Sequence, residues 1–336
     1  MQGTAEPAVV GVDVGGTKVA AGRVTGARAV EIAERPTDLS SSAAMLDEIA
    51  VAVRETIERS GPVDAVGVGV PSQVDFDSGR VVASVNIPLE GVSLRDELSA
   101  RLGTRVYVDN DANCAALAEA QFTDDAPAQS LVMLTLGTGV GGGVVIGGRI
   151  FRGSSGLGAE LGHVVVDANG PECPGACPNR GCLEALCSGT ALERAATAFA
   201  AAHRTSWFGQ LAADRSGGRV KGREVVDAAR EGDADARALL YDLARWLGVG
   251  IASFVNIFEP DHIVIGGGLS AAADLFLATA EAEARERALP ALAGRTRISV
   301  AQAGNDAGVI GAGLLAAQEL GLSDDTADLT ATEEVG

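Results

Sequence analysis

The sequence predicts an α/β protein built from two halves that share one plan. Apolar strand-like runs alternate with segments of helical periodicity along the 336 residues. A strand, a glycine turn and a second strand occur twice, as 9–14 with 19–24 and as 131–136 with 144–150. A chain of this length exceeds what one hydrophobic core supports, so two domains are expected.

The remaining elements follow the same alternation. Residues 204–222 are polar and glycine-rich, which predicts a surface loop. Residues 126–148 carry no charge and are long enough to span a bilayer, but seven glycines between 137 and 148 favour two strands instead. The other predicted helices are 42–59, 94–102, 115–120, 190–203, 222–230, 234–255 and 309–320, and the other strands are 65–70, 106–108 and 262–265.

Composition and charge exclude several classes of partner. A formal net charge of −19 would repel a nucleic acid backbone, so no nucleic acid partner is expected. The N-terminus lacks the basic and apolar segments of a secretory signal, which predicts a cytoplasmic protein with no membrane partner. Residues 323–336 are acidic with no basic residue, which predicts a disordered tail.

Four glycine-dense segments predict a divided phosphate site. Each follows an apolar run, and glycine there lets backbone N–H groups approach phosphate oxygens. Any one of them alone would indicate only a tight turn. The segments are Asp13-Val-Gly-Gly-Thr-Lys18, with Gly15, Gly16 and Thr17; Gly137-Thr138-Gly139 continuing to Gly143; Gly266-Gly267-Gly268; and Gly304-Asn-Asp-Ala-Gly308.

These segments allow two further interpretations. Asp13 could hold Mg²⁺ or its water shell and Lys18 could meet phosphate, although a lone lysine is more often a solvated hairpin residue. Residues 137–142 also satisfy G-x-G-x-x-G, which would indicate a nucleotide-binding oxidoreductase. That motif must open a helix, whereas residues 144–150 are strand-like.

Polar residues gather where the strand 106–108 ends. Asp109-Asn110-Asp111-Ala-Asn113 precedes a helical run, and ligands of α/β proteins bind at the carboxyl ends of strands. One residue suffices to cap a helix, so four polar side chains exceed what capping requires. We interpret Asp111 as a general base.

A histidine and three cysteines predict a structural metal site. His163 lies ten residues before Cys173, and Cys177 and Cys182 follow closely. Four protein ligands of this kind suit tetrahedral Zn²⁺ and leave no open position for catalysis. The alternative is a set of buried free thiols. The second ring nitrogen of His163 would be free to bind substrate.

In combination, these motifs and Glu160-Leu-Gly-His163 resemble the signatures of the ROK family of sugar kinases, over about 9–320. The resemblance implies an actin-like ATPase fold, with two ribonuclease H-like domains and the active site in the cleft between them. The expected domains are 1–117 plus 304–322, carrying the first phosphate turn and catalytic Asp111, and 118–303, carrying the second turn, the zinc loop and the adenosine-side glycines.

The resemblance also implies an activity. Asp111 would accept the proton of a hexose 6-hydroxyl as it attacks the γ-phosphate of ATP, with Mg²⁺ as cofactor and structural Zn²⁺. The predicted substrates are a sugar, with glucose first, and ATP. The glycines 137–143 would contact phosphates, and Gly266, Gly267 and Gly268 the adenosine. The residues expected to hold the other sugar hydroxyls are Asn110, Glu160, His163 and Glu184.

Several alternatives stay open at this stage. The sugar could be N-acetylglucosamine, N-acetylmannosamine or fructose, or the chain could be a sugar-sensing regulator, although no DNA-binding segment fits before the strand at 9–14. The cysteine spacing departs from the family pattern, so Cys187 could replace Cys173 as a ligand. Ser72 stands where the family usually has glycine beside the sugar. A homodimer or homotetramer is implied.

Overall fold

The chain forms two compact units. The computed structural model describes residues 7–123, 126–215 and 217–333. The first unit comprises Met1–Gln129, Gly143–Ala159 and Gln302–Gly336, and the second comprises Ser130–Gly142 and Glu160–Ala301. Compared with the predicted boundaries, 118–129 and 143–159 group with the first unit.

The first sheet has the strand order β3-β2-β1-β4-β7, in which β1, β4 and β7 are parallel and β2 and β3 antiparallel. Both of its faces are covered, which explains the continuously buried Ala-Val-Gly-Val-Gly-Val run of β4. The elements of this part of the chain are β1 Val9–Val14, β2 Lys18–Thr25, β3 Arg28–Pro36, α1 Ser42–Ser60, β4 Ala65–Val70, β5 Gln73–Asp75, β6 Arg80–Ala83, α2 Leu94–Leu102, β7 Arg105–Asn110 and α3 Asp111–Glu119. Strands β5 and β6 pair with each other in a separate two-stranded sheet.

The second sheet has the order β10-β9-β8-β11-β12. Counted within its own set of strands, each sheet therefore runs third, second, first, fourth, fifth, which confirms the common plan predicted from the repeated pattern. The elements are β8 Ser130–Leu136, β9 Val140–Ile146, β10 Arg149–Ile150, α4 Leu183–Cys187, α5 Gly189–Ala202, α6 Trp207–Ala213, α7 Gly222–Glu231, α8 Ala234–Phe258, β11 His262–Gly266, α9 Leu277–Arg287, β12 Arg297–Val300 and α10 Ala307–Glu333.

The glycine segment after β8 is shorter than predicted. Only residues 137–139 form the turn, and β9 begins at Val140 and carries three glycines in its pairing region. Gly143 has to be glycine there, because a Cβ would lie 2.7 Å from the Ala112 carbonyl oxygen. A second turn, Gly147 and Gly148 with φ of 59° and 73°, separates β9 from β10, so the single predicted strand 144–150 is wrong.

Residues 204–222 are not simply a loop, because α6 lies within them. Ser206 caps this helix by accepting a hydrogen bond from the Gly209 N–H at 3.0 Å, and Phe208 is fully buried. One buried aromatic residue in a polar stretch gives too weak a periodic signal to reveal a seven-residue helix.

Two apolar segments are long enough to span a membrane, and the C-terminal segment is helical. Helix α8 is long and apolar enough to cross a membrane, but 56% of its most apolar stretch is buried, as in the core helix of a globular unit. Residues 126–148 form strands around glycine turns, as predicted in place of a membrane span. Helix α10 is assigned through Glu333, where the sequence predicted a tail from 323; residues 334–336 lie outside the described residues.

Candidate active site and metal centre

The first glycine turn joins β1 to β2 and is held by hydrogen bonds. The Gly15 N–H donates to the Lys18 carbonyl at 2.8 Å, and Thr37 Oγ1 donates to the Gly15 carbonyl at 2.7 Å. The ammonium group of Lys18 is half exposed and pairs with Glu34 at 2.5 Å. The turn is therefore ordered by hydrogen bonds to its backbone, and these do not involve the side chain of Lys18.

Asp13 lies at the carboxyl end of β1, close to Asp111. Burial, followed by the negative charge of Asp111, raises the pKa of Asp13 to about 6, while Lys18 opposes the shift. Gly308, in the first turn of α10, packs directly on this carboxylate. A buried carboxylate whose proton affinity is raised by a second carboxylate, at the ends of parallel strands, is typical of a site for a cation or for proton transfer.

In the segment from Asp109 to Asn113, most polar side chains stabilise the local structure and one is available for chemistry. Asn110 Oδ1 caps α3 by accepting from the N–H groups of Ala112 and Asn113, at 2.9 and 3.3 Å. Asn113 Nδ2 donates to Asp109 Oδ1 at 2.8 Å. Asp111 remains for chemistry: burial raises the pKa of its carboxyl, and the Ala112 N–H opposes that rise.

Asn110 also connects to the loop that follows β4. Its Nδ2 donates to the carbonyl oxygen of Ser72 at 3.3 Å, and the Ser72 hydroxyl lies 2.9 Å from that of Ser84. The Ser84 hydroxyl donates to the carbonyl of Ile87 at 2.8 Å. The predicted substrate-binding residue is thus already fixed on both sides, and Ser72 supplies a hydroxyl link that a glycine could not.

Glu119 is a buried carboxylate that the sequence did not single out. It is 2% exposed, and its oxygens accept hydrogen bonds from the N–H groups of Gln302 and Ala303 at 2.9 to 3.1 Å. Because α3 begins with Asp111 and ends with Glu119, the helix connects the candidate base to the chain just before α10. An acidic residue closing an otherwise apolar helical run was the only signal available in the sequence.

In the second unit, Glu184 packs on the glycine turn after β8. The Val140 N–H donates to Glu184 Oε2 at 2.8 Å, and no side chain at Gly139 would fit beside that carboxylate. The N–H of Gly189 donates to the Gly137 carbonyl at 2.8 Å, and Thr190 Oγ1 donates to the Thr138 carbonyl at 2.7 Å. The predicted phosphate turn and Glu184 therefore form one arrangement.

The glycines after β11 serve different purposes. Gly266 ends the strand, and Gly267 has a φ of 81° and lies against the backbone of Leu136, where a Cβ would come within 2.5 Å of the carbonyl oxygen. Gly268 has open space around it. Backbone conformation thus requires glycine at 267, while 268 leaves its backbone approachable.

His163 and three cysteines converge in the second unit. Their donor atoms lie within 4.8 Å of one another, with His163 Nδ1 3.4 Å from Cys173 Sγ and Cys177 Sγ 3.9 Å from Cys182 Sγ. Tetrahedral zinc with bonds of about 2.0 to 2.3 Å places its ligand atoms roughly 3.5 to 3.8 Å apart, so the set fits that ion. Nδ1 faces the cluster, which leaves Nε2 directed elsewhere.

The candidate active-site residues and the candidate metal ligands all lie inside a region that matches a known protein family. A model of the ROK family matches residues 9–319. The chain belongs to the ROK family. The resemblance inferred from the motifs is therefore confirmed.

Relatives of this ROK chain are similar over nearly their whole length. A glucokinase of Halalkalibacterium halodurans is 37% identical over 317 residues, which cover 92% of this chain and 95% of the relative. A ROK hexokinase structure from Thermus thermophilus superposes with a TM-score of 0.82 at 36% identity, covering 93% and 99% of the two chains. A ROK glucokinase from Streptomyces griseus, in complex with glucose and AMPPNP, gives 0.72 at 35% identity, with the same coverage. The mixed-sheet α/β fold thus matches ROK sugar kinase structures.

In this ROK chain the unusual cysteine spacing does not change which cysteine is the first of the candidate metal ligands. Cys173 belongs to the cluster, whereas Cys187 is fully buried in α4, outside the four-residue set. Glu160 is exposed at the start of a short 3-10 turn and follows Ala159, whose φ is 65°. The Glu160 carbonyl accepts the His163 N–H at 3.0 Å, so the backbone connects these two predicted sugar-binding residues.

Proposed function

We propose that this chain is an ATP-dependent kinase that phosphorylates the 6-hydroxyl of glucose. The observation that carries the proposal is Asp111, a carboxylate of raised pKa at a strand's carboxyl end, beside a second carboxylate, Asp13. Relatives named glucokinase in Halalkalibacterium halodurans and Thermotoga maritima are 37% and 35% identical over more than nine-tenths of this chain, which supports glucose as the acceptor.

Asp111 would accept the proton of the sugar 6-hydroxyl while that oxygen attacks the γ-phosphorus. Phosphoryl transfer requires in-line positioning and neutralisation of the charge on the phosphate oxygens. Asp13 would hold Mg²⁺ or its water shell, and the turns Gly15 to Lys18 and Gly137 to Gly139 would contact the phosphates. The N–H groups of Gly15 and Gly137 are already bonded within these turns, to the carbonyl oxygens of Lys18 and Gly139. Gly266 to Gly268 would accommodate the adenosine.

The remaining proposals concern the sugar, the metal and the architecture. Asn110, Glu160, His163 and Glu184 would hold the other hydroxyls, with Asn110 offering the second hydrogen of an amide already bonded to Ser72. The cluster of His163 and three cysteines would bind structural Zn²⁺, which would orient the His163 ring through Nδ1. The two units would be ribonuclease H-like domains of an actin-like ATPase, with one active site in the cleft between them.

The deciding experiment is a coupled ADP-release assay with Mg²⁺-ATP and a panel of glucose, mannose, fructose, N-acetylglucosamine and N-acetylmannosamine. We expect glucose to give the highest kcat/KM and Asp111→Asn to lower kcat at least a thousandfold while glucose binding persists. A preference for N-acetylglucosamine would instead match the relative of that name in Salmonella paratyphi B, which is 34% identical.

Two outcomes would contradict the proposal. Full activity of Asp111→Asn would remove the assigned base. Silence of the folded wild-type protein across the panel would favour another phosphoryl donor or a sugar-binding regulator. A cytoplasmic location and a homodimeric or homotetrameric state stay predictions, the second of which analytical ultracentrifugation would measure.

A further inference from the structure

Arg152 connects the segment that carries Asp111 to helix α10. Its Nε donates a hydrogen bond of 2.6 Å to Asp109 Oδ2, and its Nη2 lies 3.5 Å from Glu319 Oε1. The side chains of Arg152 and Asp109 are only 14% and 3% exposed. Water and salt therefore screen this ion pair far less than one on the surface.

Further contacts hold both partners in place. The Arg152 guanidinium carbon lies 3.6 Å from the centroid of the Phe76 ring, a cation–π distance. The other oxygen of Asp109 accepts from the Asn110 N–H at 2.7 Å and from Asn113 Nδ2 at 2.8 Å. Asp109 thereby fixes the residues on both sides of Asp111.

The charge balance at Cys114, one helical turn after Asp111 in α3, includes Arg152. Burial raises the pKa of the Cys114 thiol, which lies in α3; Asp109, Asp111 and Asp13 raise it further, and Arg152 opposes them. The charges of these four side chains therefore all act on the Cys114 thiol, in the first unit. Without Arg152, the carboxylate of Asp109 would add an uncompensated negative charge to this group.

We propose that Arg152 and Asp109 are positioning residues for phosphoryl transfer, whose ion pair fixes the start of α3 and favours the ionised form of Asp111. This inference rests on the proposed function of Asp111 as the base. Neither residue is assigned a contact with sugar or ATP.

The two partners should have opposite effects on Asp111. Arg152→Met leaves the Asp109 charge uncompensated, so Asp111 binds its proton more tightly. Asp109→Asn removes that negative charge and leaves Arg152 with Glu319 as its ionic partner, so Asp111 binds its proton less tightly. The other charges that face this group, Asp13, its neighbour Lys18 and Glu319 of α10, are the same in every variant.

The test compares kcat against pH for these variants with glucose and Mg²⁺-ATP. We expect the acid limb to move up by about one pH unit in Arg152→Met and down by about one in Asp109→Asn, the size produced by a unit charge some 10 Å away at an effective dielectric near 20. Arg152→Lys should restore the limb to the wild-type position. The matched control is Arg149→Met, since Arg149 also pairs with Glu319, at 3.1 Å, and should leave the limb unmoved.

A purely structural role would lower kcat by reducing the fraction of active protein and would not move the acid limb of the pH profile. That result would overturn the inference. Shifts of the acid limb in the same direction in Arg152→Met and Asp109→Asn would also overturn it. If Asp109→Asn does not fold, Arg152→Met and Arg152→Lys still decide. Carboxyl ¹³C NMR of selectively labelled aspartate, assigned with Asp111→Asn, gives the same shifts independently of turnover. If the wild-type protein is inactive but the two variants shift the pKa of Asp111 in opposite directions by NMR, the proposed kinase function fails and the effect of the ion pair is established.

Discussion

The backbone of Gly308 lies so close to Asp13 that a Cβ at position 308 would come within 2.5 Å of the Asp13 Cγ. Gly308→Ala must therefore displace the carboxylate or the first turn of α10. We expect kcat/KM for glucose phosphorylation to fall at least tenfold. Gly321→Ala in the same helix is the control, because no atom lies within 4 Å of its added methyl group. Equal activities of the two variants would show that the position of Asp13 is unimportant.

Asp13 should make the protein less stable as pH rises. Its pKa is about 6 when folded and near 3.8 when unfolded, so the folded state binds the proton more tightly. This contribution is complete below pH 4 and is lost as pH rises through 6, a change of about 3 kcal/mol. Asp13→Asn, compared with wild type by urea unfolding without added Mg²⁺, should therefore gain stability at pH 8 relative to pH 4. Equal gains at both pH values would contradict the prediction.

Glu119→Ala should destabilise the first unit. It leaves the N–H groups of Gln302 and Ala303 without their carboxylate acceptor, at a cost of about 2 to 4 kcal/mol. Glu119→Gln keeps one acceptor oxygen and should cost less. The control is Glu97→Ala, which breaks an exposed pair with Arg101 in α2 and should cost under about 0.5 kcal/mol. Similar losses in Glu119→Ala and Glu97→Ala, measured by chemical denaturation, would exclude this role.

The cysteine cluster should retain one zinc ion per chain. We expect Cys177→Ser and Cys182→Ser to lose the metal in mass spectrometry of the purified protein and to lower Tm by about 5 °C or more, since metal binding stabilises the folded loop. Cys187→Ser also alters a buried thiol but should retain zinc, because Cys187 lies outside the cluster. Zinc retained by Cys177→Ser would show that Cys177 is not a ligand.

Much of the fold was predictable because strands and helices differ in apolar period. The runs at β1, β4 and β8 and the helices α1, α5 and α8 were predicted within a few residues of their bounds. Short or strongly mixed elements such as α6 and β10 were not, since two to seven residues contain too little periodicity. Glycines mislead for a similar reason: Gly143 lies in a strand because Ala112 leaves no room for a side chain, a constraint that only packing reveals.

The residues of the candidate site likewise fall into those that the sequence predicts and those that only the structure reveals. Asp111 and the cysteines were inferred from spacing along the chain, where neighbours in sequence are neighbours in space. Glu119 and Arg152 act through residues distant in sequence, on the Gln302 backbone and on Asp109. Nothing in their local sequence marks either residue as a partner, so the structure was needed to find them.

The first unit closes with residues from the two ends of the chain. Gly11 of β1 lies directly against the backbone of Val309 and Gly313 of α10. During synthesis, β1 leaves the ribosome long before α10 exists, and one face of the first sheet must wait for nearly the whole chain to be translated. A released chain truncated after Ala301 should therefore expose this sheet to proteases and chaperones, while it contains every residue of the second unit.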